Sequence, residues 1–453
     1  MAQSLSQAVS TRFEALTGHP PSRVCLAPGR VNLIGEHIDY NGFGVLPCAV
    51  GRFTCLAIGL SGIRDDKALC ISLASSTTPQ FDVVIDEVSS VPKDEHHWSN
   101  YVLAAYLGLR EHGVMLPRGI QIVVGGNLPQ AGGLSSSSSL VVASALGMSS
   151  LRVSRQMITE TMLADICMRS EWHVGTAGGG MDQAAIILSK AGFANHIEFN
   201  PLRTTSVKLP AGVSFVVANS LARAAKAETV HTNFNKRVFE CKLGQFLLRR
   251  ALLPNQPVDV LEDSYARILS DISLENGEEI FEKIRSIIPS GGVDKAHLLG
   301  LIGQEAIEHM LTGRWGSKVW EVNEIFFIQN RAIHVFSEAE RVSQFISAAG
   351  RGDIAAMAAA MNESGRSLAE DYDCSCPELG RLVAVMKKSG CLSARLVGAG
   401  FGGSAVGMVP TADVDALLTR MREYYTQELG VEGSVDELCF AFEPAQGAHF
   451  TSV

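Results

Sequence analysis

One stretch decides the fold: Gly125-Gly126-Asn127-Leu128-Pro129-Gln130-Ala131-Gly132-Gly133-Leu134-Ser135, which continues as serine through Ser139. The residues before it, 120–124, form a β-branched run that is typical of a buried strand. The residues after it, 140–146, are apolar and predict a core-facing helix that begins at the serines. A strand, a glycine- and serine-rich loop and a helix start, in this order, predict an anion-binding site.

The chemistry of this stretch favours a phosphate as the anion. Glycine lets the main chain approach a ligand closely, and the amides and dipole of a helix start attract negative charge. The hydroxyls of residues 135–139 can donate to phosphate oxygens or bind Mg²⁺. A flexible linker is the alternative, but a linker is flanked by polar sequence and both neighbours here are apolar. The stretch matches neither the Walker-type loop nor the dinucleotide fingerprint. Since no lysine follows its glycines, the positive charge that a phosphate needs must come from Mg²⁺, the helix end and residues elsewhere.

The composition describes a globular enzyme. The chain has 453 residues, of which 46% are hydrophobic and 19% charged, so it can bury the core of two domains or of one large domain. Its formal net charge is −9 and it has no basic cluster, so we expect no nucleic-acid partner. The ten cysteines are scattered without the spacing of a zinc site, which favours reduced thiols and a cytoplasmic location. Residues 1–16 predict an amphipathic helix and not a signal peptide, and no apolar stretch is long enough to predict a membrane segment.

A second stretch concentrates charged groups inside an apolar run. It reads Gly29-Arg30-Val31-Asn32-Leu33-Ile34-Gly35-Glu36-His37-Ile38-Asp39-Tyr40 and follows a strand predicted at residues 24–26. Burying such groups is costly unless they pair with one another or bind a ligand. The sequence leaves both possibilities open, an internal ion-pair network and a binding site.

Asp182 stands just after a triple glycine and just before the apolar run 184–188. This position predicts the start of a helix, where Asp182 is either a chemical group or merely the N-cap. Glu171 lies near the end of the preceding predicted helix and could cap nothing. A glycine-rich turn at residues 398–403 lies between two predicted strands, and it fits either a ligand-binding turn or a plain hairpin.

Hydrophobic periodicity predicts the remaining elements. Further helices are predicted at residues 98–109, 158–170, 237–252, 328–348, 354–361 and 379–388. Further strands are predicted at residues 45–50, 53–60, 193–199, 213–218 and 391–397. Prolines at positions 201 and 210 indicate a boundary, so we expect an N-terminal domain of residues 1–200 and a C-terminal domain of residues 201–453.

Three glycine-containing stretches, at residues 27–40, 127–139 and 397–404, resemble in this order the three signature motifs of the GHMP small-molecule kinases. The first of them resembles, position for position, the signature of the galactokinase and N-acetylgalactosamine kinase family, and the likeness extends over most of the chain. The resemblance implies an α/β (α+β) two-domain fold with mixed sheets and helices. It also implies an active site in the cleft between the N-terminal and the C-terminal domain.

The implied activity is transfer of the γ-phosphoryl group of ATP, with Mg²⁺, to the anomeric C1 hydroxyl of galactose. Asp182 is implied as the base near that hydroxyl, and Arg30 as the group that orients Asp182 and contacts the transferred phosphoryl. The implied sugar-binding residues are Arg30, Glu36, His37, Asp39, Gly180, Asp182 and Phe234. The implied ATP-binding residues are Trp98, Gly132, Gly133, Leu134, Ser135, Ser136, Ser137 and Ser138. The implied Mg²⁺ ligands are Ser137 and Glu171.

The resemblance leaves the sugar open. Phe234 stands where many relatives have a sugar-facing tyrosine, so an N-acetylgalactosamine 1-kinase is the alternative, and a catalytically silent sugar and ATP sensor is a remote one. Leu26, Val397 and Phe401 also depart from the family pattern, and Leu26 removes a basic side chain expected near the cleft. The implied partners are the small-molecule sugar and MgATP, and we expect a monomer.

Overall fold

The computed structural model describes residues 2–61, 70–75, 81–84, 90–91, 97–129, 132–154, 157–176, 178–222, 230–259, 261–273, 277–313 and 316–451. Gln130 and Ala131, inside the glycine- and serine-rich stretch, lie outside these described residues. The strands are β1 (Arg23–Asn32), β2 (Pro47–Leu60), β3 (Cys70–Ser75), β4 (Phe81–Val84), β5 (Ile120–Gly126), β6 (Ala194–Glu198), β7 (Arg203–Val207), β8 (Val213–Asn219), β9 (Val293–Asp294), β10 (Ile325–Phe326), β11 (Ser393–Val397), β12 (Ser404–Pro410), β13 (Cys439–Phe442) and β14 (His449–Thr451).

The helices are α1 (Ala2–Thr17), α2 (Ser99–Glu111), α3 (Ser136–Ser150), α4 (Glu160–Trp172), α5 (Met181–Leu188), α6 (Phe234–Leu252), α7 (Tyr265–Asp271), α8 (Glu278–Ile287), α9 (Lys295–Ile302), α10 (Gln304–Thr312), α11 (Gly316–Val322), α12 (Ile328–Arg351), α13 (Ile354–Glu370), α14 (Pro377–Lys388) and α15 (Val414–Glu423). Short 3-10 turns lie at Asp39–Asn41 and Thr411–Asp413, and a π turn lies at Tyr424–Glu428. None of the helices in the described part of the chain is long and apolar enough to cross a membrane.

A six-stranded sheet in the order β14-β1-β2-β5-β3-β4 supports the first half of the chain. The pairs are antiparallel except β3 with β5. Because side chains alternate along a strand, β1 directs Val24 and Leu26 to a cluster with Phe13 of α1, and Cys25 and Ala27 to the main core on the opposite face. Helix α3 packs on β1 and β2, and α2, α4 and α5 pack around α3. The glycine- and serine-rich loop before Ser136, which is the phosphate-loop candidate, is therefore followed by a helix that lies against the centre of the sheet.

Strand β2 corrects one prediction from the sequence. Residues 45–50 and 53–60 were expected as two strands, but they form one strand that starts at Pro47. Pro28 pairs with Phe53 and the next residue, Gly29, pairs with Val50, so Gly51 and Arg52 form a bulge. An exposed glycine and a polar residue look like a break in the apolar pattern, whereas a bulge continues the strand and bends it.

The second half of the chain contains a four-stranded antiparallel sheet in the order β11-β12-β8-β13. Helices α13 and α14 pack on β11, and α15 packs on β13. A largely helical segment from α6 to α12 lies between β8 and β11 in the sequence, and α12 contacts both α6 and α13. The glycine-rich turn at residues 398–403 is the connection of the β11–β12 hairpin.

Most other predicted elements are confirmed within a few residues, with two differences of extent. The strand predicted at residues 24–26 continues to Asn32, and the helix predicted at residues 354–361 continues to Glu370. The last strand, β14, pairs with β1, so the end of the chain returns to the first sheet. The domain limits at residues 1–200 and 201–453 stay a prediction.

Candidate active site

Five segments meet at one cleft: β1 and the loop after it, the end of α4, the start of α5, the start of α6, and the β11–β12 turn. The space inside the cleft and its open mouth together amount to about 640 Å³. Its lining residues are Arg30, Glu36, His37, Asp39, Tyr40, Glu171, Thr176, Gly178, Gly180, Met181, Asp182, Gln183, Val230, Phe234, Gly398 and Ala399. All seven residues predicted to contact sugar are among them.

Arg30 and Asp182 form an ion pair in the floor of the cleft. The guanidinium Nε donates to Asp182 Oδ1 at 2.7 Å, and Nη1 donates to the main-chain oxygen of Gly133 at 2.8 Å. The Arg30 side chain is 3% exposed and that of Asp182 is 21% exposed. The buried guanidinium of Arg30 thus holds the Asp182 carboxylate, which faces the cleft. The same guanidinium also contacts the glycine- and serine-rich loop.

The start of α5 excludes the role of Asp182 as an N-cap. Gly180 occupies the N-cap position and has no side chain to cap the helix, and Asp182 is the second residue of α5. Instead Asp39, from the loop after β1, accepts from the main-chain nitrogens of Gly179 (3.1 Å) and Met181 (3.3 Å) through Oδ2. Asp39 therefore accepts from the first amide of α5, and the Asp182 carboxylate contacts Arg30 instead.

The loop before α3 is held by β1 and by the β11–β12 hairpin. The main-chain nitrogen of Arg30 donates to Leu134 O at 3.1 Å, and Ser404 Oγ donates to Gly132 O at 2.5 Å. Gly133 has φ +73°, and a Cβ there would lie 3.1 Å from both Ser404 N and Val397 O. Only glycine fits this conformation and this close approach comfortably. Residues 132–134 are therefore a packed part of the site.

Helix α3 begins without a side-chain cap. Ser135 is the N-cap residue, with φ +57°, and its side chain accepts no hydrogen bond from the first turn. Its hydroxyl donates to Asp182 Oδ2 instead. The amides at the start of a helix have no partner within the helix and attract anions. Ser136 and Ser137 are half-buried in this first turn, whereas Ser138 is buried.

Glu36 belongs to a buried ion-pair network that reaches into the second half of the chain. Its Oε1 lies 2.9 Å from Arg395 Nη2 and accepts from the nitrogen of Gly398 at 2.7 Å. Arg395 is fully buried, and its Nη1 lies 3.3 Å from Glu338 Oε1. Burial raises the pKa of Glu36, while Arg395 and Arg30 oppose the rise. The sequence had left a network and a binding site as alternatives for Glu36, and the structure gives it network contacts at the wall of the cleft.

His37 uses both ring nitrogens within the protein. Nε2 lies 3.2 Å from Ala399 O, and Nδ1 lies 2.9 Å from the hydroxyl of Tyr40. Because a carbonyl only accepts, Nε2 carries the proton and Nδ1 accepts from Tyr40. Burial and then the nearby His334 lower the pKa of His37 to about 3, so the ring is neutral at pH 7. Any contact of His37 with a sugar would compete with one of these two bonds or use the edge of the ring.

Phe234 and Glu171 lie on two other parts of the cleft wall. Phe234 is the first residue of α6, and its ring centroid lies 5.7 Å from that of His37 and 5.8 Å from that of Tyr40. Glu171 is 8% exposed and its Oε1 accepts from Gln183 Nε2 at 2.8 Å. An apolar ring and an acidic side chain therefore both face the space beside Asp182.

None of the predicted ATP-binding residues is among the described residues that line this cleft. Of residues 132–138, Gly133, Ser135 and Ser138 contact its floor, through Arg30 and Asp182. Trp98 directly precedes α2 and is absent from the lining. Leu26 lies in the apolar cluster beneath α1 and is also absent from the lining, so this departure from the family pattern does not change the cleft wall. The expectation of a lost basic group near the cleft was therefore wrong, because β1 directs this side chain to the other face of the sheet.

Three residues with a part in the site were missed from the sequence. Arg395 pairs with Glu36, Gln183 contacts Glu171, and Ala399 accepts from His37. An arginine inside the apolar strand β11 is a signal that a buried carboxylate must lie opposite it. The other two contacts are made by common residue types, and nothing in the local pattern distinguishes them.

Three family models match the chain. They are described as the galactokinase galactose-binding signature (residues 11–60), the GHMP kinases N terminal domain (residues 100–190) and the GHMP kinases C terminal (residues 345–427). Galactokinase of Dictyostelium discoideum is 32% identical, over 96% of this chain and 91% of that protein. Galactokinase of Candida parapsilosis is 28% identical, over 93% of this chain and 89% of that protein.

Solved structures share the fold. Lactococcus lactis galactokinase in complex with galactose has a TM-score of 0.73 and 24% identity, over 98% of this chain and 99% of that one. Methanococcus jannaschii mevalonate kinase has a TM-score of 0.54 and 16% identity, over 94% and 99%. The predicted two-domain GHMP kinase fold with mixed sheets is thereby confirmed. With a relative that is 32% identical over nearly its whole length, this chain belongs to the galactokinase family of GHMP kinases.

Proposed function

We propose that this chain transfers the γ-phosphoryl group of ATP to the C1 hydroxyl of galactose, giving galactose 1-phosphate and ADP, with Asp182 and Arg30 at the reacting atoms. Galactose is the favoured sugar because both curated relatives are galactokinases and because the galactose-binding signature matches residues 11–60. N-acetylgalactosamine is not favoured by any of these matches. A silent sensor has no need of the Arg30–Asp182 pair, which is complete here.

The residues around the loop suit the tail of a nucleotide. The first turn of α3 offers amides that Ser135 does not cap, and Gly133 lets the loop before this turn pack closely against the β11–β12 hairpin. Among the described residues that line the cleft, Arg30 is the one fixed cation. We assign residues 132–138 to the triphosphate, and Trp98 to the adenine.

Mg²⁺ also fits this chemistry. The described residues hold no group of three or more His, Cys, Asp or Glu side chains arranged for a metal. Mg²⁺ in kinases is bound by one or two protein groups together with phosphate oxygens, so Glu171 and Ser137 are sufficient as protein ligands. When bound, the ion neutralises charge on the phosphates and stabilises the developing charge of the transfer.

The protein residues orient the two substrates and hold a proton. The bond between the sugar oxygen O1 and the γ-phosphorus forms as the bond from the γ-phosphorus to the β–γ bridging oxygen breaks, and ADP leaves. The proton of the C1 hydroxyl passes to the Asp182 carboxylate and from there to solvent. Arg30 holds that carboxylate through Nε, and its positive charge favours the ionised form that can accept the proton. Glu36, His37, Asp39, Gly180 and Phe234 surround the same space, and we assign them to the sugar.

The observation that carries this proposal is the Arg30–Asp182 pair, joined to the loop through Gly133 O. The test is ADP release, measured by a coupled assay with galactose, N-acetylgalactosamine, glucose and galacturonate side by side. We expect turnover to be highest with galactose. A kcat/KM for N-acetylgalactosamine that equals or exceeds that for galactose would reject galactose as the preferred sugar. If no ADP is released with any of the four sugars, the proposed kinase activity is rejected. Monomeric state and cytoplasmic location stay predictions from the sequence.

A further inference from the structure

We propose that Ser135, assisted by Ser138, is a positioning residue whose hydroxyl holds the Asp182 carboxylate, and that nucleotide binding by the hydroxyls of this serine run is left to Ser136 and Ser137. The main-chain amides of the run remain available to the triphosphate. The inference rests on the proposed function, in which Asp182 accepts the proton of the C1 hydroxyl. It revises the expectation that all four serines bind ATP.

The two oxygens of the Asp182 carboxylate are held from two different elements. Oδ1 accepts from Arg30 Nε, at 2.7 Å, on strand β1. Oδ2 accepts from the hydroxyl of Ser135, and Ser138 Oγ lies 3.5 Å from the same oxygen. A single hydrogen bond would let the carboxylate rotate about its last bond, whereas two bonds to different oxygens fix its plane. A proton acceptor needs such fixing because misorientation of a reacting group is costly to the rate.

The hydrogen bonds divide the four serines into two pairs. Ser135 contacts Asp182 Oδ2 from the N-cap position of α3, and Ser138 contacts the same oxygen from the first turn of that helix. These two side chains are 4% and 1% exposed, respectively. Ser136 and Ser137 project from the same turn in other directions and are half-buried. Ser139 belongs to neither pair, because its hydroxyl bonds to Ala27 O and Thr54 Oγ1 at 2.8 Å each.

The backbone of Ser135 provides a further argument. Its φ of +57° lies in the left-handed region, which residues with a side chain rarely adopt and which glycine adopts without steric strain. Ser135 therefore has its hydroxyl at a position where the backbone alone would prefer glycine. Its contact with Asp182 accounts for what the side chain contributes there.

The same backbone makes Ser135→Gly a clean test, because glycine fits the conformation and only the hydroxyl is removed. We would measure kcat and KM for MgATP and for galactose in Ser135→Gly, Ser137→Ala and Ser150→Ala, with melting temperatures for each. Ser150 lies in the last turn of α3 and bonds only to Gly147 O among the described contacts, so Ser150→Ala controls for loss of a serine from this helix.

We expect Ser135→Gly to lower kcat by about tenfold to a hundredfold and to leave the KM for MgATP near the wild-type value. Ser137→Ala should instead raise the KM for MgATP, and Ser150→Ala should change neither constant. In an Asp182→Asn background the kcat loss from Ser135→Gly should disappear, since residues that act through one group are not additive.

Two results would overturn the inference. One is a raised KM for MgATP with wild-type kcat in Ser135→Gly, which would make Ser135 a nucleotide ligand. The other is a kcat that Ser135→Gly leaves unchanged although Asp182→Asn abolishes turnover. Near-normal turnover of Asp182→Asn itself would instead reject the proposed role of Asp182, so the two failures are distinguishable.

Discussion

Nε of Arg30 lies 2.7 Å from Oδ1 of Asp182, although the two residues are 152 positions apart in the sequence. The strand β1 brings the first residue and the start of helix α5 brings the second. The same guanidinium donates to Gly133 O, so one side chain links the loop, the strand and the carboxylate. A planar group with several donors in fixed directions is suited to making such contacts together.

Replacement of Asp182 by asparagine should stop turnover without stopping binding. Asparagine keeps the size of the side chain but cannot accept the proton as a carboxylate does. We expect kcat to fall by roughly 10²–10⁴-fold, which is the usual contribution of a general base. Isothermal titration should still detect binding of galactose and of MgATP. The exposed Asp415→Asn serves as the matched control, and near-normal kcat in Asp182→Asn would reject the assignment.

Replacement of Arg30 by lysine should lower the activity strongly, although lysine keeps the positive charge. Lysine is a point charge on a flexible stem and cannot reproduce the fixed fork that meets Asp182 and Gly133 O together. We expect kcat/KM for galactose to fall by about a hundredfold in steady-state assays. Arg366→Lys, at a half-exposed position on α13, should have wild-type kinetics. Equal rates for Arg30→Lys and the wild type would contradict a geometric role for the pair.

Local sequence patterns were sufficient to predict the strand, loop and helix around the phosphate-loop candidate. Strand β5 and helix α3 lie where the apolar runs placed them, because both elements are buried and their patterns are strong. The bulge in β2 was not predictable in this way. The bulge arises from the way Pro28 and Gly29 of β1 pair with residues of β2. Such pairing between strands cannot be recognised from the sequence of either strand alone.

The candidate site was predictable only in part, and largely through the family resemblance. Periodicity placed Asp182 at a helix start but could not decide between an N-cap and a reactive group. The decision depends on Asp39, which satisfies the helix start from a distant loop. The division of the serine run likewise depends on which face of α3 meets Asp182, and this is a property of packing between elements.

Asp39 should make the stability of the protein depend on pH. Burial and then the charge of Asp182 raise the pKa of Asp39 to about 6 from its ordinary 3.8. A carboxyl with a raised folded pKa favours folding below the unfolded pKa, and this contribution is lost as pH rises from 3.8 through 6. The rise of the Asp39 pKa from 3.8 to about 6 changes the free energy of unfolding by at most about 3 kcal/mol, and the partial exposure of Asp39 to the cleft reduces this contribution.

Asp39→Asn should therefore raise the melting temperature more at pH 8 than at pH 4.5. Asparagine is neutral at both values, and its carbonyl oxygen can still accept from Gly179 N and Met181 N. Thermal unfolding at the two pH values measures the difference, with Asp415→Asn as the exposed control. A gain that is equal at both values, or larger at pH 4.5, would contradict the raised pKa.

Arg395→Met should destabilise the protein strongly, because it leaves two buried carboxylates without their shared cation. Arg395 lies between Glu36 (2.9 Å) and Glu338 (3.3 Å), and all three side chains are almost fully buried. Burial alone would raise the pKa of Glu338, but Arg341 and Arg395 outweigh it and lower that pKa to about 2. Breaking a buried pair from one side typically costs about 3–5 kcal/mol, so we expect this loss in the free energy of unfolding measured with urea. Arg366→Met removes two surface ion pairs and should cost less than about 1 kcal/mol for each. A similarly small loss in Arg395→Met would show that Glu36 and Glu338 do not depend on Arg395.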